Sequence, residues 1–183
     1  NFATLVSAVE EGRVIYRNIR KFIRYLLSCN VGEVATMFLG MLMGMPVVLL
    51  PIQILLVNLV TDSLPAIALG LDVMSVRPRR KEEGVFSGGL LSTILFRGAL
   101  IGLTTLAVFV ALLRQGGDLT LARTGALAAL VFTQLIHVFE CKSKTKSLFG
   151  INPLNNLKLI GAVGISTAVL LASIYHPFLS GIF

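Results

Sequence analysis

The stretch QILLVNLVTDSLPAIALGLD, residues 53–72, suits a lipid bilayer at both ends but not in its middle. Asn58, Thr61 and Asp62 are spaced three and four residues apart or adjacent, so on a helix they share one face. An aspartate at membrane depth costs about 2.5–3.5 kcal/mol on insertion scales and marks a functional site by default. Pro65 has no amide hydrogen, so it leaves the carbonyl of Thr61, four residues back, without its helical partner. The spacing therefore predicts a helix loosened at Thr61 and Asp62, with bare carbonyl oxygens beside a carboxylate. Hard cations take oxygen ligands of this kind. Irregular backbone inside a membrane is tolerated where protein buries it or where it lines a cavity.

The flanking sequence is of the same character. The chain has 183 residues, 55% of them hydrophobic, and a net charge of +7. Its cations cluster between apolar runs, as juxtamembrane residues do, and not in the spread of a nucleic-acid binder. Five spans are predicted, at 22–45, 47–71, 90–113, 124–139 and 157–175, the fourth being short. Residues 1–24 are amphipathic and basic, and read as a cytoplasmic stalk running into the first span; a helix lying on the lipid surface is the alternative. Pro46 and Pro51 mark a turn between the first two spans. Gly40/Gly44 and Gly98/Gly102 are small-residue pairs that permit close helix contact. Arg97 can snorkel to the interface. RQGGDLTLAR, 114–123, is a polar link; VRPRRKEEG, 76–84, and CKSKTK, 141–146, are polar loops; NPLNN, 152–156, is a turn and cap. His176-Pro177 ends the last span. Cys29 and Cys141 read as small buried hydrophobes and not as a disulfide framework. The expected fold is an all-α polytopic membrane bundle of about five helices. Asn1 opens the chain without an initiator Met or a cleavable signal, so a piece of a longer protein is expected.

The cations also set an orientation. With five spans, fourteen of the sixteen Lys and Arg fall on one side, and only Arg114 and Arg123 on the other. The positive-inside rule puts the fourteen, and the amino end, in the cytoplasm.

The intramembrane polar residues are Asn30, Glu33, Asn58, Thr61, Asp62, Gln134 and His137. Two carboxylates, three amides and a hydroxyl suit a hard cation, with calcium the first candidate and manganese sharing its preferences. A single Asn or Thr in a span is commonly a helix–helix hydrogen bond, and His137 reads as a core or interface residue. Buried carboxylates rarely serve packing, so Glu33 and Asp62 carry the functional reading. Emptied of metal, such carboxylates can take up protons in exchange. No zinc spacing, Gly-rich phosphate loop or Ser/His/Asp set is present in the sequence.

NVGEV at 30–34 and VNLVTDSLPAIALGLD at 57–72 resemble the fifth and sixth transmembrane helices of type II P-type ATPases. The opening NFATLVSAVEEGRVIYRNIRKFIRYLLSCN resembles that family's link from the phosphorylation domain to its fifth helix. The resemblance covers nearly the whole chain, is strongest over 1–72, and points to the calcium-pump branch. It implies that Asn30, Glu33, Asn58, Thr61 and Asp62 ligate the ion. Gln134, aligned within ALAALVFTQ, stands where two-calcium pumps carry a glutamate, and is a further candidate ligand. That departure favours one calcium per cycle. The resemblance further implies a calcium-exporting pump that uses Mg2+ and ATP, of the plasma-membrane or secretory-pathway kind, with the plasma membrane the first choice; proton countertransport is expected from the emptied carboxylates. The phosphorylation, nucleotide and actuator domains and the remaining helices would belong to the intact protein; DKTGT is not among these residues. A cation/proton antiporter is the rival reading, but it predicts an inverted repeat, and the 58–62 pattern has no partner in the later spans.

Overall fold

Breaks in the apolar pattern at Pro46, Pro51 and Asp118 divide the chain into helices, and a computed structural model describes residues 2–71, 89–142 and 156–175. The described residues form helices with no strand: α1 (Phe2–Leu42), α2 (Pro51–Leu56), a π-helical segment (Val57–Asp62), α3 (Ser63–Gly70), α4 (Leu90–Arg114), α5 (Leu119–Lys142) and α6 (Leu157–Tyr175). The segments Pro51–Gly70, Leu90–Arg114, Leu119–Lys142 and Leu157–Tyr175, together with α1, make five helices long and apolar enough to cross a membrane. Large apolar side chains such as Phe38, Leu59, Phe96, Leu103, Ile136 and Ile165 point outward. That pattern suits a lipid surround, where exposing apolar surface carries no hydrophobic penalty. The predicted 76–84 loop, the 141–146 run beyond Lys142 and His176-Pro177 lie outside the described residues.

α1 is continuous over 41 residues. At 1.5 Å per residue it is about 60 Å long, twice a hydrocarbon core. Asn18, in its basic half, donates to the Gly70 carbonyl at the end of α3 at 3.1 Å. The helix stops at a residue that only glycine fits comfortably. Gly44 has φ +66°; its N–H reaches the Met41 carbonyl and the Met45 N–H reaches the Gly40 carbonyl, each at 3.0 Å. This is a Schellman stop. Gly44 therefore ends the helix, and a Cβ on it would meet no atom within 4 Å, while Gly40 admits Val48, whose Cγ2 would lie 2.7 Å from a Cβ there; the first predicted span, 22–45, closes at Leu42.

The other pair packs helix against helix. α1 lies along α4, and a Cβ on Gly102 would come within 2.8 Å of the Gly32 carbonyl oxygen and 2.9 Å of Ala35 Cβ. A Cβ on Gly98 would come within 2.9 Å of the Ser28 carbonyl oxygen and would overlap Val31. The Thr36 hydroxyl donates to the Gly32 carbonyl of its own helix at 2.8 Å and lies 3.4 Å from the Gly102 carbonyl across the interface. Substituting Gly98→Val should loosen α1 from α4 by about 1–3 kcal/mol, the range for overpacking. A lower thermal midpoint in detergent is the expected readout, and an unchanged midpoint would contradict the contact.

Three further boundaries differ from the sequence reading, each for a local reason. The second span starts at Pro51 and not at residue 47, because a residue before proline is pushed to extended backbone. Leu50 sits at φ −74°, ψ 149°, and Gln53 Oε1 accepts its N–H at 2.8 Å. The fourth span is a full 24 residues. Asp118 Oδ1 caps its start by accepting the Leu121 N–H at 2.7 Å, so most of the predicted 114–123 link is helix. At its other end, Glu140 stays helical because it pairs with Arg97 of α4 at 3.0 Å, and Arg97 is committed to that pair. In α6, Asn156 Oδ1 accepts the Leu159 N–H at 3.0 Å, a cap at the predicted place.

Phe109, Leu127 and Leu130 belong to one apolar cluster, and Tyr25, Leu69 and Leu159 to another.

Candidate cation site

The π-helical segment supplies the first half of the site. A π turn widens the hydrogen-bond ring by one residue and often marks function. The path of the helix is kept, so the predicted loosening takes the form of a wide turn and not of extended chain. Two carbonyls in it accept from serine hydroxyls. Ser63 Oγ donates to the Asn58 carbonyl at 2.7 Å. Ser166 Oγ, from α6, donates to the Thr61 carbonyl at 3.3 Å. Pro65 cannot serve that second carbonyl, and a serine on another helix does so instead.

Glu33 on α1, Asp62 in the π segment and Gln134 on α5 meet between these helices and are respectively 5%, 1% and 1% exposed. Asn58 Nδ2 donates to Glu33 Oε2 at 2.6 Å. Gln134 Nε2 donates to Glu33 Oε1 at 3.1 Å and to Asp62 Oδ2 at 3.3 Å. The Tyr25 hydroxyl donates to Asp62 Oδ1 at 3.3 Å. All four carboxylate oxygens thus rest on neutral donors. Among the described residues neither carboxylate has an ion pair. Two buried acidic groups without a basic partner are costly unless a cation or protons join them.

The other predicted residues are placed differently. Thr61 is buried beside Asp62, but its Oγ1 donates to the Val57 carbonyl at 2.9 Å. Asn30 lies on the exposed side of α1 and is not gathered with Glu33. His137 faces a separate cluster: its Nδ1 is 3.1 Å from Glu140 Oε2, its Nε2 is 3.4 Å from Cys141 Sγ, and its ring stacks on Tyr25 with centroids 6.2 Å apart. Among the described residues no group of three His, Cys or carboxylate side chains forms a metal cluster. A cation here would rest on two carboxylates and on amide, hydroxyl or carbonyl oxygens, a donor set for a hard ion.

Sequence reasoning missed Tyr25 and Ser166. Tyr25 was legible as the residue two helical turns before Glu33, on the same face with Cys29 between. Ser166 is one hydroxyl among several in the last span and carried no distinguishing signal.

Residues 46–183 match the family described as cation transporting ATPase, C-terminus. The chain belongs to that family. The cation-transporting ATPase carboxy-terminal match takes in the π segment and Gln134, while relatives extend the similarity through α1. A calcium-transporting ATPase of Bacillus subtilis is 53% identical over 100% of this chain and 21% of its own length. Calcium-transporting ATPase 1 of Bacillus cereus is 43% identical over 100% of this chain and 23% of its own. An endoplasmic reticulum-type calcium-transporting ATPase 3 of Arabidopsis thaliana is 36% identical over 97% and 21%. The chain therefore spans about a fifth of the length of these relatives.

Proposed function

We propose that this chain is the ion-binding membrane half of an ATP-driven pump that exports calcium, one ion per cycle. The observation that supports this most is the pair Glu33 and Asp62, buried side by side without a basic partner beside a widened helical turn. The names of the relatives add calcium to that chemistry. Glu33, Asn58 and Asp62 are the core ligands in this reading, with Thr61 contributing an oxygen from the π segment. Asn30 and the parts of the protein outside this chain complete the shell.

The cycle follows from the long helix. Phosphorylation by ATP with Mg2+, in domains outside this chain, tilts the basic half of α1. Because α1 is one continuous rod, that tilt reaches Glu33 and alters its geometry against Asp62. Affinity falls, calcium leaves on the far side, and protons return on the carboxylates. Such coupling needs two global states with different ion contacts. The amino end lies in the cytoplasm in this reading, and the plasma membrane is the compartment.

The test is phosphoenzyme formation by the full-length protein in native membranes. Labelled ATP should phosphorylate it only when free calcium is present, and manganese at equal concentration should serve less well. A phosphoenzyme indifferent to calcium, or none at all with calcium uptake intact, would overturn the proposal in favour of another ion or an antiporter.

A further inference from the structure

The space between the two acidic side chains is spanned by one amide nitrogen. Gln134 Nε2 carries two hydrogens, and one goes to each carboxylate, at 3.1 Å to Glu33 and 3.3 Å to Asp62. The outer oxygens are held by Asn58 and Tyr25 at 2.6 Å and 3.3 Å. The amide therefore occupies the position between like charges where an ion would be most strongly attracted. Its other end shows the same commitment. Gln134 Oε1 is buried and has no hydrogen-bond partner, although a buried carbonyl without one costs about 1–3 kcal/mol. The opposite orientation would aim that oxygen at two carboxylates, a repulsive contact. The orphaned atom is thus tolerated because the nitrogen is needed on the acidic side.

Resting on the function proposed above, we propose that Gln134 is a positioning residue that acts as a stand-in for the ion. Its NH2 group braces Glu33 and Asp62 when calcium is absent, and calcium must displace that brace to bind. This assigns Gln134 a role opposite to that of a ligand. A ligand raises affinity for the ion, whereas a brace that stabilises only the ion-free state lowers it. Calcium binding spends part of its free energy on releasing two hydrogen bonds to charged oxygens. The same brace keeps the two acidic arms at a fixed separation, so the emptied site neither splays apart nor closes.

The two roles separate by sign. Gln134→Met keeps the length and volume of the side chain but has no N–H, and Gln134→Asn keeps the amide on a stem one methylene too short to reach both carboxylates. Calcium-dependent phosphorylation of the full-length protein is titrated for each. The brace predicts half-saturation at lower calcium, by at least about 10-fold for Gln134→Met, the effect expected from losing even one such bond to a charged oxygen. Gln134→Asn should move the same way by less. Half-saturation at higher calcium, or an unchanged value with only the maximal level reduced, overturns the proposal and leaves Gln134 a ligand or a packing residue. Monodisperse elution in detergent checks folding; if Gln134→Met fails it, Gln134→Asn decides alone. The wild-type control separates the two ideas: calcium-independent wild-type phosphoenzyme defeats the pump reading, while a wrong-signed shift on a calcium-dependent wild type defeats only the brace.

Discussion

Replacing Asp62 by asparagine in the full-length protein should raise the calcium needed for half-maximal phosphorylation by at least about 100-fold. Breaking a buried charge pairing costs about 3–5 kcal/mol, and each 1.4 kcal/mol is tenfold in affinity. Asparagine keeps the shape of the side chain and an oxygen for the Tyr25 hydroxyl, while losing the charge and the acceptor for Gln134. Folding should hold or improve, because the variant no longer buries that carboxylate beside Glu33. Glu33→Gln should behave alike, since the two carboxylates share one amide and have no basic partner among the described residues. A half-saturation within about threefold of wild type for Asp62→Asn would remove the residue from the site.

Pro65→Ala should weaken calcium activation by about tenfold while leaving the protein as stable or more so. Alanine restores the N–H that proline lacks, and that N–H can reach the Thr61 carbonyl. The carbonyl now accepts from Ser166 at 3.3 Å, a long bond that an intrahelical N–H would outcompete. The wide turn over Val57–Asp62 would then tighten toward α-helix, turning Asp62 away from Gln134. About 1 kcal/mol of added stability is expected, less than a helix-interior proline normally costs, because Pro65 already sits in the first turn of α3. A thermal melt and a calcium titration on the same preparation check both halves. Unchanged affinity would show that the loosened turn does not set the site.

These expectations began from different amounts of sequence information. Asp62 and Pro65 were conspicuous because each breaks a rule of the bilayer, one by charge and one by lacking a donor. Glu33 stood out for the same reason. The five spans were readable from apolar length, although their ends were not. Predicted boundaries failed where a cap or a partner decided them: Asp118 capping α5, Arg97 holding Glu140 within the helix, and Gly44 closing α1. Gly40/Gly44 and Gly98/Gly102 have the same spacing and different uses. Spacing cannot tell a helix stop from a packing face when the partner helix is unknown.

By itself the sequence determined that this chain lives in a membrane, that its helices carry two acidic groups at depth, and that one helix must give way near Thr61. Those are consequences of composition and of covalent chemistry, and they need no knowledge of neighbours. Only the tertiary structure decided which polar groups meet. It set Gln134 between Glu33 and Asp62, brought Tyr25 to Asp62 and Ser166 to the Thr61 carbonyl, and left Asn30 on the exposed side of α1. Hydrogen bonds between residues 101 and 105 positions apart depend on how helices are rotated against one another. That rotation is set by contacts between helices far apart in the chain, such as Gly98 and Gly102 of α4 against α1, and local spacing marks a residue as small without naming the helix it will meet.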